Sequence, residues 1–148
     1  DENLKPIKHY YLGDAEAIAK LSALAASEEG ALTSLESDRI KSHAFGSNAL
    51  FEAWVAQARS NAPVVAHAII TKGYDVRRGA PNVVLCELYV SPEQRRGGLA
   101  RKMMSAVARS ASSTPNAPTR LILIGASTEA TSFMMGRIRS ITSSRLTS

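Results

Sequence analysis

The sequence predicts an α/β domain on one central sheet, partly antiparallel and partly parallel, with element order β-α-α-β-β-β-α-β-α. Three observations carry that expectation. Apolar residues recur at helical spacing near the start of the chain and again after residue 99, whereas the middle switches to short β-branched and aromatic runs bounded by turn residues. A Gly/Arg-rich turn joins the most apolar strand candidate to the second amphipathic stretch. Finally, 148 residues with 45% hydrophobic and 21% charged side chains describe one ordinary globular domain, 1–148. That balance excludes wholesale disorder, a collagen-like repeat and a disulfide scaffold, the last also because Cys86 is the only cysteine.

Ile7–Tyr11 reads as a short opening strand. Asp14 stands at an N-cap position, and Ala15, Ile18, Leu21, Leu24 and Ala25 form an apolar helical stripe closed by Glu28-Glu29-Gly30. Thr33-Ser34-Leu35-Glu36 has the Thr-x-x-Glu form of a capping box and predicts a second helix ending near Gly46. Leu50–Ala58 and Val64–Thr71, separated by the turn residues Arg59-Ser60-Asn61-Ala62-Pro63, predict an antiparallel hairpin. Two glycines and a proline make Lys72–Asn82 a loop. Val83–Val90 is the central strand, and Pro92 stops it. Leu99–Ala111 buries one helical face through Met103, Met104, Ala106, Val107 and Ala108. Residues 112–119 form a polar loop, Arg120–Ile124 a fifth strand, and a final helix begins after Thr128.

Charge is divided unevenly along this order. Residues 1–94 hold nine basic and twelve acidic side chains, a net −3, whereas residues 95–148 hold nine basic and one acidic, Glu129, a net +8. Such asymmetry predicts that one end meets a polyanion: nucleic acid, membrane or a phosphorylated cofactor. The turn after the central strand is where phosphate fits best. A helix start exposes unpaired N–H groups and the positive end of the helix dipole. Gly97 and Gly98 would let backbone approach closely, and Arg95, Arg96, Arg101 and Lys102 add positive charge that the dipole alone disfavours. The spacing is neither that of an NTPase phosphate loop nor that of a dinucleotide fingerprint.

In this context Arg95-x-x-Gly98-x-Ala100 resembles the Arg/Gln-x-x-Gly-x-Gly/Ala signature of the GNAT acetyltransferase superfamily. The resemblance extends further, to the polyamine and thialysine N-acetyltransferase branch. Phe45-Gly46 followed by Leu50-Phe51-Glu52-Ala53 is similar to that branch's Phe-Gly…Phe segment. Gly73-Tyr74-Asp75-Val76-Arg77-Arg78-Gly79 resembles its Thr-Tyr-x-x-Trp-x-Gly loop, Leu85–Val90 its Leu-Glu-Asp-Leu-Tyr-Val strand, and Ala130-x-x-Phe133 the start of its last helix. What the resemblance implies is a GNAT-like mixed sheet flanked by helices, with acetyl-CoA as co-substrate and no metal. Arg95, Arg96, Gly97, Gly98, Leu99, Ala100 and Arg101 would hold the pyrophosphate, and Leu88, Tyr89 and Val90 would line the pantetheine arm. Glu28, Tyr74 and Asp75 would lie at the site of the amine. The resemblance also implies a homodimer with a small-molecule amine as the other partner, while the single cysteine, Cys86, suits a reducing compartment and so the cytoplasm.

Acetyl transfer to an amine needs a base for the nitrogen, whose free pKa is near 10.4 in lysine, and a proton for the departing thiolate. The branch uses a Glu of the central strand and a Tyr of the last helix. Here Cys86 takes the Glu position, Glu87 follows it, and Met134 replaces the Tyr. The catalytic candidates are therefore Glu87, as base, and Cys86, as nucleophile or proton donor. Strand alternation would turn them to opposite faces unless a bulge intervenes. Tyr89 is an alternative acid or packing. Cys86 also reads as a buried small hydrophobe, Trp54 as core and His67 as a plain sheet residue. The resemblance further implies two more strands after the last helix, and the 15 residues following Phe133 suffice for one irregular strand, a shortened C-terminal end.

Three function classes follow. The first is an acetyl-CoA-dependent N-acetyltransferase acting on a polyamine, diamine or lysine-like amino acid. The second is a catalytically impaired acyl-CoA-binding relative, or one acting on protein amines. A basic nucleic-acid binder is the third, disfavoured by 5% aromatic residues and no stacking pattern. A membrane span is excluded by the lack of any apolar run of ~18–20 residues, and His9, His43 and His67 lack metal-ligand spacing.

Overall fold

The structure, a computed structural model, describes residues 8–9, 14–57, 62–112 and 120–123. They form β1 (Lys8–His9), α1 (Ala15–Glu28), α2 (Ser37–His43), β2 (Glu52–Gln57), β3 (Val64–Asp75), β4 (Ala80–Val90), a 3-10 turn (Pro92–Gln94), α3 (Leu99–Ser112) and β5 (Arg120–Leu123). Five strands make one sheet in the order β1-β2-β3-β4-β5, antiparallel from β1 to β4, with β5 parallel to β4. The turn at 58–61, the helix expected after Thr128 and the shortened C-terminal end lie outside the described residues. Among the described residues, no helix is long and apolar enough to cross a membrane.

Strand alternation sorts the core into two layers. Trp54 and Ala56 of β2, Ala66, Ala68 and Ile70 of β3, and Val83 and Leu85 of β4 face α3, which contributes Leu99, Met103, Met104 and Val107. Each of these larger α3 side chains stabilises the fold by about 1.5–3 kcal/mol on burial. Ala53, Val55 and Ile69 face the other way, against Ala15 and Ile18 of α1 and Ile40 of α2. The apolar stripe of α1 is shorter than its spacing predicts: Ala15, Ile18 and Leu21 are buried, but Leu24 is exposed and Ser22 is buried beside them. The second half of that helix thus turns polar groups toward the sheet.

Two local expectations give way to competing chemistry. Thr33 does not cap α2; its Oγ1 accepts the Leu35 N–H at 3.1 Å in a local turn. Glu36 becomes the residue before the helix, its carbonyl accepting the N–H groups of Arg39 and Ile40, and its side chain makes no capping bond. Lys72–Asn82 is not a loop but the far end of the β3–β4 hairpin, with pairs Lys72↔Val83, Gly73↔Asn82, Tyr74↔Pro81 and Asp75↔Ala80. Pro81 precedes the first β4–β5 pair among the described residues, Asn82↔Arg120, so its missing N–H interrupts no described ladder on that edge. Gly73 sits against a side chain: a Cβ there would come within 2.5 Å of Asn82 Oδ1, and the Asn82 amide would have to shift.

Candidate active site

The site is organised by one irregularity in β4. Ile69 pairs with Glu87 and Ile70 with Leu85, so Cys86 is an extra residue with no partner on β3. Leu85 and Leu88 both pack on the α3 layer. The two residues between them therefore share the opposite face, which resolves the alternation problem in the sequence: Cys86 and Glu87 point to the same side. Cys86 is exposed rather than buried, with Sγ 3.7 Å from Thr71 Oγ1 and 3.8 Å from the Val84 carbonyl.

Glu87 is held at both carboxylate oxygens. Ser22 of α1 donates to Oε1 at 3.2 Å, and His67 of β3 lies against Oε2 through Nε2 at 2.5 Å. An ionised carboxylate can only accept, which places the shared proton on the imidazole Nε2. His67 is fully buried, and the Glu87 side chain retains 25% exposure. The carboxylate thus reaches solvent from an anchored position, with the hydrogen-bond partners that a polar group in an apolar strand needs.

Two residues farther along β4, Tyr89 faces α1 as well, donating from its hydroxyl to Glu28 at 3.4 Å. Burial and the Glu28 charge raise the phenol above its ordinary value, and Arg95 opposes them. Arg95 locks this corner: both Glu28 oxygens accept from its Nη2 at 2.9 Å, its Nε donates to the Val90 carbonyl at 2.8 Å, and its guanidinium lies 5.3 Å from the Tyr89 ring centroid. Arg95 and Glu28, expected at phosphate and amine respectively, are thus paired with each other.

The other edge of β4 carries backbone groups. The Ser91 N–H donates to Val65 O at 2.8 Å, which makes Val90↔Ala66, and two residues back Leu88↔Ala68, non-hydrogen-bonded pairs. Leu88 and Val90 accordingly turn their N–H and C=O groups away from β3. β5 is described as far as Leu123, which pairs with Leu85, and no other described strand pairs with β4 on that edge. Beyond it the chain turns through Arg96, at φ 70°, and Gly98, at φ 80°, into the first turn of α3, where Lys102 N–H to Gly98 O at 3.1 Å is the first helical bond. The amides of Leu99 and Ala100 precede that bond and have no carbonyl one turn back. A Cβ on Gly98 would meet nothing within 4 Å and one on Gly97 only Gln94 O at 3.9 Å, so the loop opens onto free space. Arg96, Arg101 and Lys102 are exposed around it.

Of the expected site residues, the structure brings Glu87, Cys86, Tyr89 and Glu28 to one face and Leu88, Val90 and residues 96–101 to the adjoining edge. Tyr74 and Asp75 it sets apart. They sit near the hairpin tip, where Tyr74 is exposed and Asp75 Oδ1 accepts the Arg78 N–H, six strand residues or about 20 Å from Glu87. Sequence reasoning missed Ser22 and His67. A usable signal existed for His67: an imidazole inside Val-Val-Ala-His-Ala-Ile-Ile and a carboxylate inside an adjacent apolar strand each need a buried partner.

With this geometry in hand, the chain can be set against known proteins. The sequence model of the family described as the Acetyltransferase (GNAT) family matches residues 18–134. A possible acetyltransferase from Clostridium difficile 630 superposes with TM-score 0.72 at 18% identity, covering 90% of this chain and 89% of that one. An aminoglycoside acetyltransferase from an uncultured soil metagenomic sample, in complex with sisomicin, gives 0.69 at 16% identity, covering 93% and 87%. A ribosomal-protein-alanine N-acetyltransferase from Brucella melitensis biovar Abortus 2308 gives 0.64 at 19% identity, covering 84% and 82%. At such identities the likeness is one of fold.

Proposed function

The chain belongs to the acetyltransferase (GNAT) family, and on that premise we propose that it moves an acetyl group from acetyl-CoA to a primary amine of a small molecule, with Glu87 as the base. The observation that carries this reading is the Cys86 bulge. It brings a solvent-reaching carboxylate, held at both oxygens, to the α1-facing side of β4 beside the exposed Cys86.

The residues fit the co-substrate. The first-turn amides of α3 and the open loop at Gly97-Gly98, ringed by Arg96, Arg101 and Lys102, suit a diphosphate. Leu88 and Val90 present strand-edge backbone groups to an extended amide-containing arm, although the Val90 carbonyl is already taken by Arg95. Arg95 therefore belongs to the wall between α1 and β4 rather than to the phosphate loop. Bound acetyl-CoA supplies an activated thioester carbonyl. Glu87 accepts the proton of the attacking amine, directly or through one water, as the new N–C bond forms and the C–S bond breaks. Cys86, exposed beside it, has a thiol proton available to the departing thiolate.

For the acceptor we favour a polyamine, diamine or lysine-like amino acid. The support is the sequence likeness to that branch and the solvent-reaching carboxylate of Glu87. The experiment is a thiol-release assay with acetyl-CoA over a panel of such amines, beside a thermal melt. Millimolar acetyl-CoA should raise the melting temperature by ligand linkage, and at least one amine should release thiol. Stabilisation without any release would leave only an acyl-CoA-binding protein.

A further inference from the structure

His67 is an expensive residue for its place. It lies with no exposed surface in the middle of β3, between Ala66 and Ala68, where an aliphatic side chain would pack without desolvating a ring nitrogen. Among the described residues its Nδ1 is buried with no hydrogen-bond partner. Natural cores leave few such atoms, and each calls for a reason. The one polar contact His67 makes is with Glu87 Oε2, while Ser22, itself buried on the opposing helix, holds Oε1. The terminal torsion of a glutamate is broad, so one anchor would leave the carboxylate plane free to turn. Anchors from two different elements, one on β3 and one on α1, fix both the plane and its height above the sheet.

We infer that His67, supported by Ser22, is a positioning residue for the reaction: it donates from Nε2 to one oxygen of Glu87 and so aims the remaining lone pairs at the amine's proton. This rests on the reading of Glu87 as base. His67 touches neither substrate nor co-substrate in this scheme, and it neither gains nor loses a proton during turnover. Its contribution is geometric, and a misplacement of about 1 Å in such a group can cost on the order of 10²-fold in rate.

The test is steady-state kinetics with acetyl-CoA and spermidine, 1,4-diaminobutane and lysine as acceptors, on the parent and on His67→Leu, His67→Gln, Ser22→Ala and Glu87→Gln. His67→Leu should lower kcat by roughly 10²-fold with the KM for acetyl-CoA and its thermal shift unchanged. His67→Gln, whose amide N–H can replace the donor, should recover most of that loss, which a merely structural role would not do. Ser22→Ala should lower kcat by roughly tenfold, the equivalent of one hydrogen bond to a charged group, and stands in if His67→Leu does not fold. Parental kcat in His67→Leu and Ser22→Ala alongside a large loss in Glu87→Gln overturns the inference and leaves Glu87 as base. Parental kcat in Glu87→Gln, or no turnover of any acceptor by the parent, overturns the reading of Glu87 and the inference with it.

Discussion

The two halves of β4 obey different rules. From Asn82 to Leu85 the strand is flanked on both sides, by β3 and by β5, and its side chains alternate regularly, with Val83 and Leu85 in the α3 layer. From Cys86 to Val90 it pairs with β3, begins with a bulge, and presents Cys86, Glu87 and Tyr89 to the α1 side. The first half is stabilised by burial and doubled ladders. The second turns the backbone groups of Leu88 and Val90 away from β3 and satisfies its polar side chains with partners from α1 and β3. One extra residue separates a structural segment from a chemical one, because it resets the side-chain period without breaking the β3 ladder on either side.

Substitutions on the two sides of the bulge should therefore fail in different ways. The largest effect expected is Glu87→Gln, which keeps shape and removes the proton acceptor: kcat should fall by about 10²–10⁴, with the acetyl-CoA melting shift retained. Next, Leu85→Ala, one residue before the bulge, should cost about 2–5 kcal/mol in denaturant unfolding, as a core truncation does, and leave residual activity in the folded fraction. If Leu85→Ala abolished turnover at full stability, the division between the halves would be wrong. Gly98→Ala should cost about 1–2 kcal/mol, because φ is +80° there and not because of space, a Cβ meeting nothing within 4 Å. Its Kd for acetyl-CoA should rise as the loop shifts, measurable by isothermal titration.

The same division explains what the sequence disclosed. The Val83–Leu85 stretch of β4 and α3 were readable from their apolar pattern alone, since burial there is decided locally by Val83, Leu85, Met103 and Val107. Glu87 was readable as a site residue because a carboxylate in an apolar strand has few places to go. The bulge itself was not, as it depends on the register between Ile69-Ile70 and Leu85-Glu87, a non-local quantity. The same holds for Ser22, which looks like a gap in the α1 stripe until its partner is known. Lys72–Asn82 misled for a related reason: its glycines and proline are turn chemistry in isolation, and cross-strand pairing overrides them.

The smallest prediction probes the outer end of the second half, where Tyr89 meets Glu28 and Arg95. Burial raises the Tyr89 phenol above its usual 10.0, with the Glu28 charge adding to the rise. The unfolded chain therefore ionises first on going alkaline. Below pH 10 both states hold the proton and the group adds no pH dependence. As pH climbs past 10 toward the folded value, the unfolded state binds fewer protons than the folded one, and stability falls. Tyr89→Phe removes that alkaline loss but keeps a ring for the Arg95 guanidinium, giving up only the 3.4 Å bond to Glu28. At pH 8 the variant should be less stable than the parent by no more than about 1 kcal/mol. Unfolding measured from pH 8 to 11 should show that gap narrowing above pH 10; a constant gap would mean that Tyr89 ionises as freely as an exposed phenol, and that the α1 side of β4 is open to water as far as Val90.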